Sequence, residues 1–304
     1  MENNSFQTPI LFLIFNRPET TERVFEKIRA VRPRHLYVSA DGPRMQKARE
    51  DQQCVKTRRI IEKVDWPCEV KTNFSDANLG CRRAVSSGID WFFRSVSEGI
   101  ILEDDCLPEI SFFHFCETLL QYYRNDDRVM HIGGANFQDG HVRGPHAYYF
   151  SALSHIWGWA TWKRAWNKYD VDISNYPRLF EQDLFSAIFP LPAMRKYWKR
   201  TMDEVYEKRK DTWDTQWQYT LSVHHGLAIV PRVNLISNIG FNLNATHTVD
   251  NFHSLANRPT APIGTITHPE FMVPDLRADG YTFRKYMSPN KIVKSWQLIR
   301  RKVL

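Results

Sequence analysis

Gly99-Ile100-Ile101-Leu102-Glu103-Asp104-Asp105 is the stretch that decides the fold. A short apolar run behind a glycine reads as a buried strand of a parallel sheet, and here it ends in three consecutive carboxylates. In open α/β sheets the ligand crevice lies at the carboxyl ends of the strands. The sequence therefore aims three acids at a candidate binding crevice. Clustered carboxylates repel one another unless a cation neutralises them. Hard divalent ions such as Mg²⁺ and Mn²⁺ prefer oxygen ligands and keep substrate phosphates in their shell. The competing reading is an acidic loop that is merely solvated.

Outward from this strand, strand-like and helix-like patterns alternate over the first 130 or so residues. Residues 9–15 predict a first strand, then Asn16-Arg17-Pro18 and a helix over 19–30, with Pro18 suited to a helix start. A second strand over 35–40 ends at Asp41-Gly42-Pro43, and a charged helix is expected over 44–64. A third strand covers 69–74, Asn78-Leu79-Gly80 opens a helix reaching about 96, and the decisive strand follows at 100–102. A helix over 110–123 and a strand over 129–132 complete this half. Strands separated by helices predict right-handed crossovers and a mostly parallel, Rossmann-like α/β sheet flanked by helices. Beyond it, seven of the ten tryptophans fall between Trp157 and Trp217. Helices are expected over 159–166, 181–189, 193–208 and 212–224, then a strand over 227–230 and a polar loop over 238–253. No internal repeat or low-complexity linker divides the chain, so one domain over 1–282 is expected, with halves 9–132 and 133–282.

Composition narrows the class. The chain has 304 residues, 42% hydrophobic and 25% charged, enough for a sizeable core in an ordinary globular protein. The apolar run 10–15 is too short for a signal sequence or a membrane span, so the expected location is the cytoplasm. Five cysteines without C-x-x-C spacing predict reduced thiols rather than a disulfide framework or zinc site. The net charge of +7 suggests nucleic acid, but its placement argues against it. Seven basic residues and no acid lie in 283–304, and the remainder is formally neutral. Within that stretch Ile292, Val293, Trp296, Ile299 and Val303 recur at helical spacing. Such a basic amphipathic tail suits an anionic membrane surface, or a docked helix with a solvated basic face.

Several polar groups should gather at the strand ends. Asp41 would lie beside the end of the first strand, where it could bond a nucleobase or ribose; an Asx-turn with Gly42 is the alternative. Arg17 could grip a diphosphate with two donors, or be a surface arginine at a helix start. Asn78 and Gly80 are compatible with a helix cap alone. In Trp213-Asp214-Thr215-Gln216-Trp217 the two tryptophans share a helical face. Asp211 and Thr212 are natural N-caps, which puts Asp214 in the first turn, where the helix dipole favours the ionised form. An ionised acid beside an aromatic face suits a general base for a sugar hydroxyl; a capping acid with two core tryptophans is the plainer reading. Trp159, Trp162 and Trp166 admit both a core and a carbohydrate wall. His247, in a polar loop, could ligate a metal or touch a diphosphate, or lie on the surface. There is no G-x-G-x-x-G, no P-loop and no G-x-S-x-G, so dinucleotide cofactors, P-loop chemistry and a serine nucleophile elbow are unsupported.

The set Phe15-Asn16-Arg17, Val38-Ser39-Ala40-Asp41, Asn78-Leu79-Gly80, Leu102-Glu103-Asp104-Asp105, Gly158-Trp159 and Trp213-Asp214 resembles the GT-A nucleotide-diphospho-sugar transferases, in particular N-acetylglucosaminyltransferase I and its bacterial relatives. The resemblance spans roughly residues 9–225. It implies a GT-A fold with a nucleotide-binding first half and an acceptor-binding second half. It further implies a metal-dependent, inverting transfer from a UDP-sugar to a glycan or lipid-linked acceptor in bacterial surface polysaccharide synthesis; the basic tail, which lies outside the resemblance, would hold such an enzyme peripherally on the membrane. Carried across, Asp105 ligates Mn²⁺ or Mg²⁺, with His247 as a further candidate. Asp104 bonds the ribose, Glu103 faces the transferred sugar, Asp41 contacts uracil, and Asn16, Arg17, Asn78 and Arg82 surround the nucleotide-sugar. Trp159, Trp213 and Trp217 wall the acceptor and sugar pocket. Asp214 is the catalytic base, and Thr215 replaces the second acid of the animal enzyme. Two rivals share the fold: a sugar nucleotidyltransferase, although its usual N-terminal G-x-G-x-R-L loop is missing, and a non-catalytic, membrane-associated glycan-binding protein.

Overall fold

Strand β1 (Ile10–Ile14) is buried along its whole length and splits the core in two. Ile10, Phe12 and Ile14 pack into one apolar cluster and Leu11 and Leu13 into another, as the two-residue period of a strand requires. In this computed structural model residues 6–189, 191–241 and 255–287 are described. The chain continues through α1 (Pro18–Val31), β2 (His35–Ala40), α2 (Glu50–Arg59), β3 (Glu69–Phe74), α3 (Gly80–Ser95), β4 (Glu98–Glu103), β5 (Cys106–Pro108), α4 (Ser111–Tyr122) and β6 (Val129–Gly133). Next come β7 (Tyr148–Ser151), β8 (Trp159–Trp162) and the single turns α5 (Lys163–Trp166), α6 (Arg178–Glu181) and α7 (Phe185–Ile188). The described chain ends with α8 (Pro192–Tyr206), α9 (Asp214–Val223), β9 (Leu227–Pro231), β10 (Ile236–Asn238) and α10 (Leu276–Thr282).

Eight strands form one sheet in the order β3-β2-β1-β4-β8-β6-β9-β7. Only β8 and β7 run against the rest. Helices α1 and α4 cover one face through Val24, Phe25, Ile28, Phe112, Phe115 and Leu119. Helices α3 and α9 cover the other through Ile89, Phe92, Trp217 and Leu221. The result is the expected mixed α/β, mostly parallel, Rossmann-like architecture in one domain. β5 pairs with β10 in a separate two-stranded ribbon just beyond β4.

Three expectations are corrected. The helix expected over 44–64 forms only as α2 and a 3₁₀ turn, Ile60–Lys63. The Glu50 carboxylate accepts from the Arg44 backbone N–H and guanidinium and so closes a loop where helix was expected. Residues 159–162 are strand, not helix. All four are buried, and a short run apolar on both faces carries no period that separates the two. The helix expected over 181–189 is broken into α6 and α7, with Asp183 at φ 50 between them.

Residues 283–287, where the basic stretch begins, extend α10 and pack on the body. Phe283 is buried, and Lys285 and Tyr286 donate to Asp139. Asp139 also accepts from Arg258 and Tyr281. The rest of the tail lies outside the described residues. Among the described residues, no helix is long and apolar enough to cross a membrane.

Burial opposes the Asp139 charge, but the bonds from Lys285, Tyr281, Tyr286 and Arg258 outweigh it and hold its carboxyl well below the usual carboxylate range. A depressed acid stabilises the fold above its unfolded value, about 4, and that contribution is lost progressively as pH falls from this value toward the lower folded one. Asp139→Ala is therefore expected to cost at least ~2 kcal/mol at pH 7, by urea denaturation. The deficit should shrink as the pH is lowered from 5 to 3.

Candidate functional site

The sheet order reverses at β1. Connections lead from β1 to β2 and β3 on one side, and β4 lies on the other. Such a switch point opens a crevice at the strand ends. The end of β1 supplies Phe15, Asn16 and Arg17, and the end of β4 supplies Glu103, Asp104 and Asp105. Arg17 joins the two. Its Nη2 donates to Asp104 Oδ1 at 2.5 Å and its Nη1 to Asp105 Oδ2 at 2.9 Å. Asp104, 2% exposed, also accepts from the Phe15 backbone N–H at 3.1 Å. Burial works against the Arg17 charge, but Asp104 and Asp105 outweigh it and raise its pKa. The β10 chain lies over the triplet, with Ile239 N–H donating to the Asp105 carbonyl at 2.8 Å. Gly240 follows, and a Cβ there would collide with the Arg17–Asp105 pair.

Glu103 pairs in register with Leu13, so its side chain shares the α3 and α9 face with Leu11, Leu13 and Ile101. It lines a cavity of about 250 Å³ with Arg17, Asp41, Arg44, Asn78 and Asp211. It takes no hydrogen bond among the described residues. Burial, then Asp105 and Asp104, push its carboxyl up to about 8. Burial likewise lifts Asp104 to about 6 against the pull of Arg17. This cluster is short of positive charge, which fits a hard divalent cation. Among the described residues, however, no three His, Cys, Asp or Glu groups form a ready-made metal cage. A cation held by Asp105 or Glu103 would have to complete its shell with ligand phosphate and water.

The other expected residues divide into those facing the cavity and those committed elsewhere. Asp41 lines it, yet its carboxylate already accepts from Gly42 N, Leu79 N, Gly80 N and Asn78 Nδ2. That is the full capacity of a carboxylate, so Asp41 holds the 78–80 turn and has no acceptor site left for a nucleobase. Burial raises its pKa despite these bonds. Asn78 lines the cavity and spends its amide on Asp41 and Gly42. Asn16 donates to Glu50 at 2.8 Å, leaving its own carbonyl oxygen buried and unpaired. Arg82 turns away to the Val171 carbonyl and Asp172. Sequence reasoning missed Arg44, which lines the cavity, stacks over Phe15 at 5.4 Å and pairs with the buried Glu50. No sequence signal marked it, because the burial of Glu50 that calls for a cationic partner arises only in the fold.

Asp214 opens α9. Its Oδ1 accepts from Thr212 Oγ1 and from Thr215 N–H at 2.8 Å, while Oδ2 takes no hydrogen bond among the described residues. It lines a second cavity, also about 250 Å³, with His155, Trp157, Tyr197, Trp198 and Lys210. Its charge contributes to raising Glu103, after burial, Asp105 and Asp104, so the two cavities are electrostatic neighbours. Asp211, expected as an N-cap for α9, instead caps α3, accepting from Cys81 N and Arg82 N at 3.0 Å. Nothing local to the sequence pairs groups so distant along the chain.

The expectation that Trp159, Trp213 and Trp217 wall a sugar pocket is corrected. They are 0%, 2% and 0% exposed and pack on one another, with Trp159 stacked on Trp213 at 5.6 Å. His131 accepts the Trp217 indole N–H and donates to the His155 carbonyl. Burial lowers its pKa to about 3, which keeps it neutral. These rings form the bed on which α9, and so Asp214, is set. His247 lies outside the described residues.

No known family profile matches the chain, and no curated protein does. Among solved structures it is similar to 4-diphosphocytidyl-2C-methyl-D-erythritol synthase from Anaerococcus prevotii. There the identity is 9% over 57% of this chain and 77% of that one, with a TM-score of 0.31. It is also similar to HddC from Yersinia pseudotuberculosis, at 9% identity over 52% of this chain and 78% of that one, with a TM-score of 0.32. The fold assignment rests on strand order and register.

Glu103 and Asp104 bind protons more tightly folded than unfolded. Between their unfolded values, about 4, and the folded values the native state holds the extra proton, so their contribution to stability falls as pH rises through that window. Arg17→Ala leaves two carboxylates unpaired and is expected to cost about 3–5 kcal/mol at pH 7.5, by urea denaturation. The loss should be smaller at pH 5, where Asp104 takes up a proton.

Proposed function

We propose that the protein is a metal-dependent, inverting glycosyltransferase that moves a sugar from a UDP-sugar to a hydroxyl of a glycan or lipid-linked acceptor. The observation that carries this reading is that Glu103 lines one cavity and Asp214 another, with the Asp214 charge acting on the Glu103 carboxyl. The first, at the switch point, is the place for a nucleotide in this architecture. The second is the place for an acceptor.

On this reading Asp105, together with the donor's phosphates, would hold a Mn²⁺ or Mg²⁺ ion, which would supply positive charge to the departing diphosphate. Arg17 fixes Asp104 and Asp105 relative to each other and to the end of β1. Glu103 faces the transferred sugar, and Asp41 keeps the 78–80 turn against the nucleotide. Asp214, with Oδ1 restrained by Thr212 and Thr215, keeps Oδ2 to accept the proton of the attacking hydroxyl. Attack from the acceptor side, opposite the leaving diphosphate, inverts the anomeric carbon.

The test is release of UDP from a panel of UDP-sugars with and without Mn²⁺. Metal-dependent release is expected, and Asp214→Asn should lower acceptor-dependent turnover about 10²–10⁴-fold, the usual contribution of general base catalysis. Pyrophosphate release from UTP and a sugar 1-phosphate would establish a nucleotidyltransferase instead. Absence of any UDP binding by calorimetry would leave a glycan-binding protein.

A further inference from the structure

The most exposed large apolar side chains among the described residues are Met45, Val142, Phe271, Val273 and Leu276. The last three follow one another along the β7 edge of the sheet and into α10. Pro274 pairs with Phe150 of β7, the edge strand, and Met272 packs against the larger apolar cluster. With an extended chain's two-residue period, Phe271 and Val273 between them turn to solvent. They are 72% and 68% exposed, and Leu276, at the first position of α10, is 67% exposed. His141 and Arg143 pack on the Tyr281 ring of α10, which carries Val142, 79% exposed, to the side of the same helix. An exposed apolar residue standing alone needs no explanation, but a group of them around one short helix marks an interaction surface.

Cations border this group. Arg277 is exposed, with its guanidinium 3.6 Å from Asp275. Arg284 is exposed and has no ion pair among the described residues. Its Nη1 lies 3.1 Å from where a Cβ on Gly280 would stand, so it folds back along α10 toward Arg277. Of the nearby acids, Asp275 accepts from the Arg277 and Ala278 N–H groups as the cap of α10, and Asp279 is buried. Glu270 is the exposed acid of this stretch. Beyond Met287 the sequence adds five more cations, Lys291, Lys294, Arg300, Arg301 and Lys302, and no acid.

We infer that Val142, Phe271, Val273 and Leu276 form a membrane-docking surface that enters the headgroup layer of an anionic bilayer, with Arg277 and Arg284 on the lipid phosphates. Charge selects this occupant. The chain beyond Met287 is basic and would meet like charge beside Arg277 and Arg284, whereas an anionic bilayer attracts the face and the tail together. The inference does not depend on the transferase reading. On that reading it adds that the acceptor is the lipid-linked one: Met287, which lines the cavity of Asp214, lies about 15 Å along the helix from Leu276.

Vesicle co-sedimentation of the full chain tests this without turnover. Binding to vesicles of phosphatidylglycerol and phosphatidylcholine is expected, with little binding to phosphatidylcholine alone and a loss as salt is raised. The triple variant Phe271→Ser, Val273→Ser, Leu276→Ser keeps the whole tail and should bind at least about tenfold more weakly. Arg277→Gln with Arg284→Gln, at two exposed positions, should bind about tenfold more weakly and with a shallower salt dependence. Because the three apolar side chains face solvent, the triple variant should keep the wild-type urea midpoint without lipid. No binding to anionic vesicles, or binding unchanged in both variants, would overturn the inference. So would a lowered midpoint in the triple variant, which would show the face already covered by the tail, or a dimer in ultracentrifugation that the triple variant dissolves, which would assign it to a second copy. Metal-dependent UDP release in the absence of vesicles reports on the transferase reading alone, so the two claims can fail separately.

Discussion

The bridge from Arg17 to Asp104 and Asp105 is the constraint on which the rest of the site depends. Three carboxylates at the end of one buried strand would repel one another and unravel that end, were no cation built in. Arg17 reaches them because β1 and β4 are parallel neighbours in register, so both strands end at the same edge. Its planar guanidinium serves two carboxylates at once, which a lysine could not do with the same geometry. Once Asp104 and Asp105 are held, Glu103 is left as the member of the triplet with no partner. Its raised pKa follows from that arrangement and from burial.

Ring packing fixes the position of the other acid of the site, Asp214. The packed rings of Trp159, Trp213, Trp166 and Trp217 set the height of α9 above the sheet, and neutral His131 accepts the Trp217 indole N–H among them. Asp211 then ties the loop before α9 to the start of α3. Gly80, at φ 79, lies where an added Cβ would press on the Asp211 carboxylate, which gives this glycine a steric reason beyond its turn. Asp214 is therefore located by packing and by a long-range cap, not by its own loop.

Much of the first half was legible in the sequence because each strand there ends in a polar turn and each helix has its own apolar period. The acids of β4, Arg17 and the 78–80 turn all lie at such ends, so strand-end reasoning brought them to one edge. The role of Asp41 was not legible. An Asx-turn and a ligand contact place the same residue at the same strand end, and only the four donors around its carboxylate decide between them. The tryptophan-rich half misled in a different way. Trp159-Ala160-Thr161-Trp162 is apolar on both faces because β8 lies inside the sheet between β4 and β6, and burial of that kind erases the alternation that would mark a strand. The half-buried aromatic side chains of the second cavity are instead Trp157, just before β8, and Tyr197 of α8, which come from separate segments and share no local pattern.

Charge ties these pieces together. Arg17 and Arg44 are the cations lining the first cavity, and each is already neutralised by acids, while Glu103, Asp104, Asp41 and Asp211 line the same space. A diphosphate entering it would meet net negative charge, so on the proposed reading the divalent ion is a condition of donor binding as well as of chemistry. The second cavity is arranged differently: Asp214 and Lys210 both line it, and Lys210 has no ion pair among the described residues. The two cavities thus differ in side-chain pairing: the cations of the first are committed to holding the fold together, and that of the second is not.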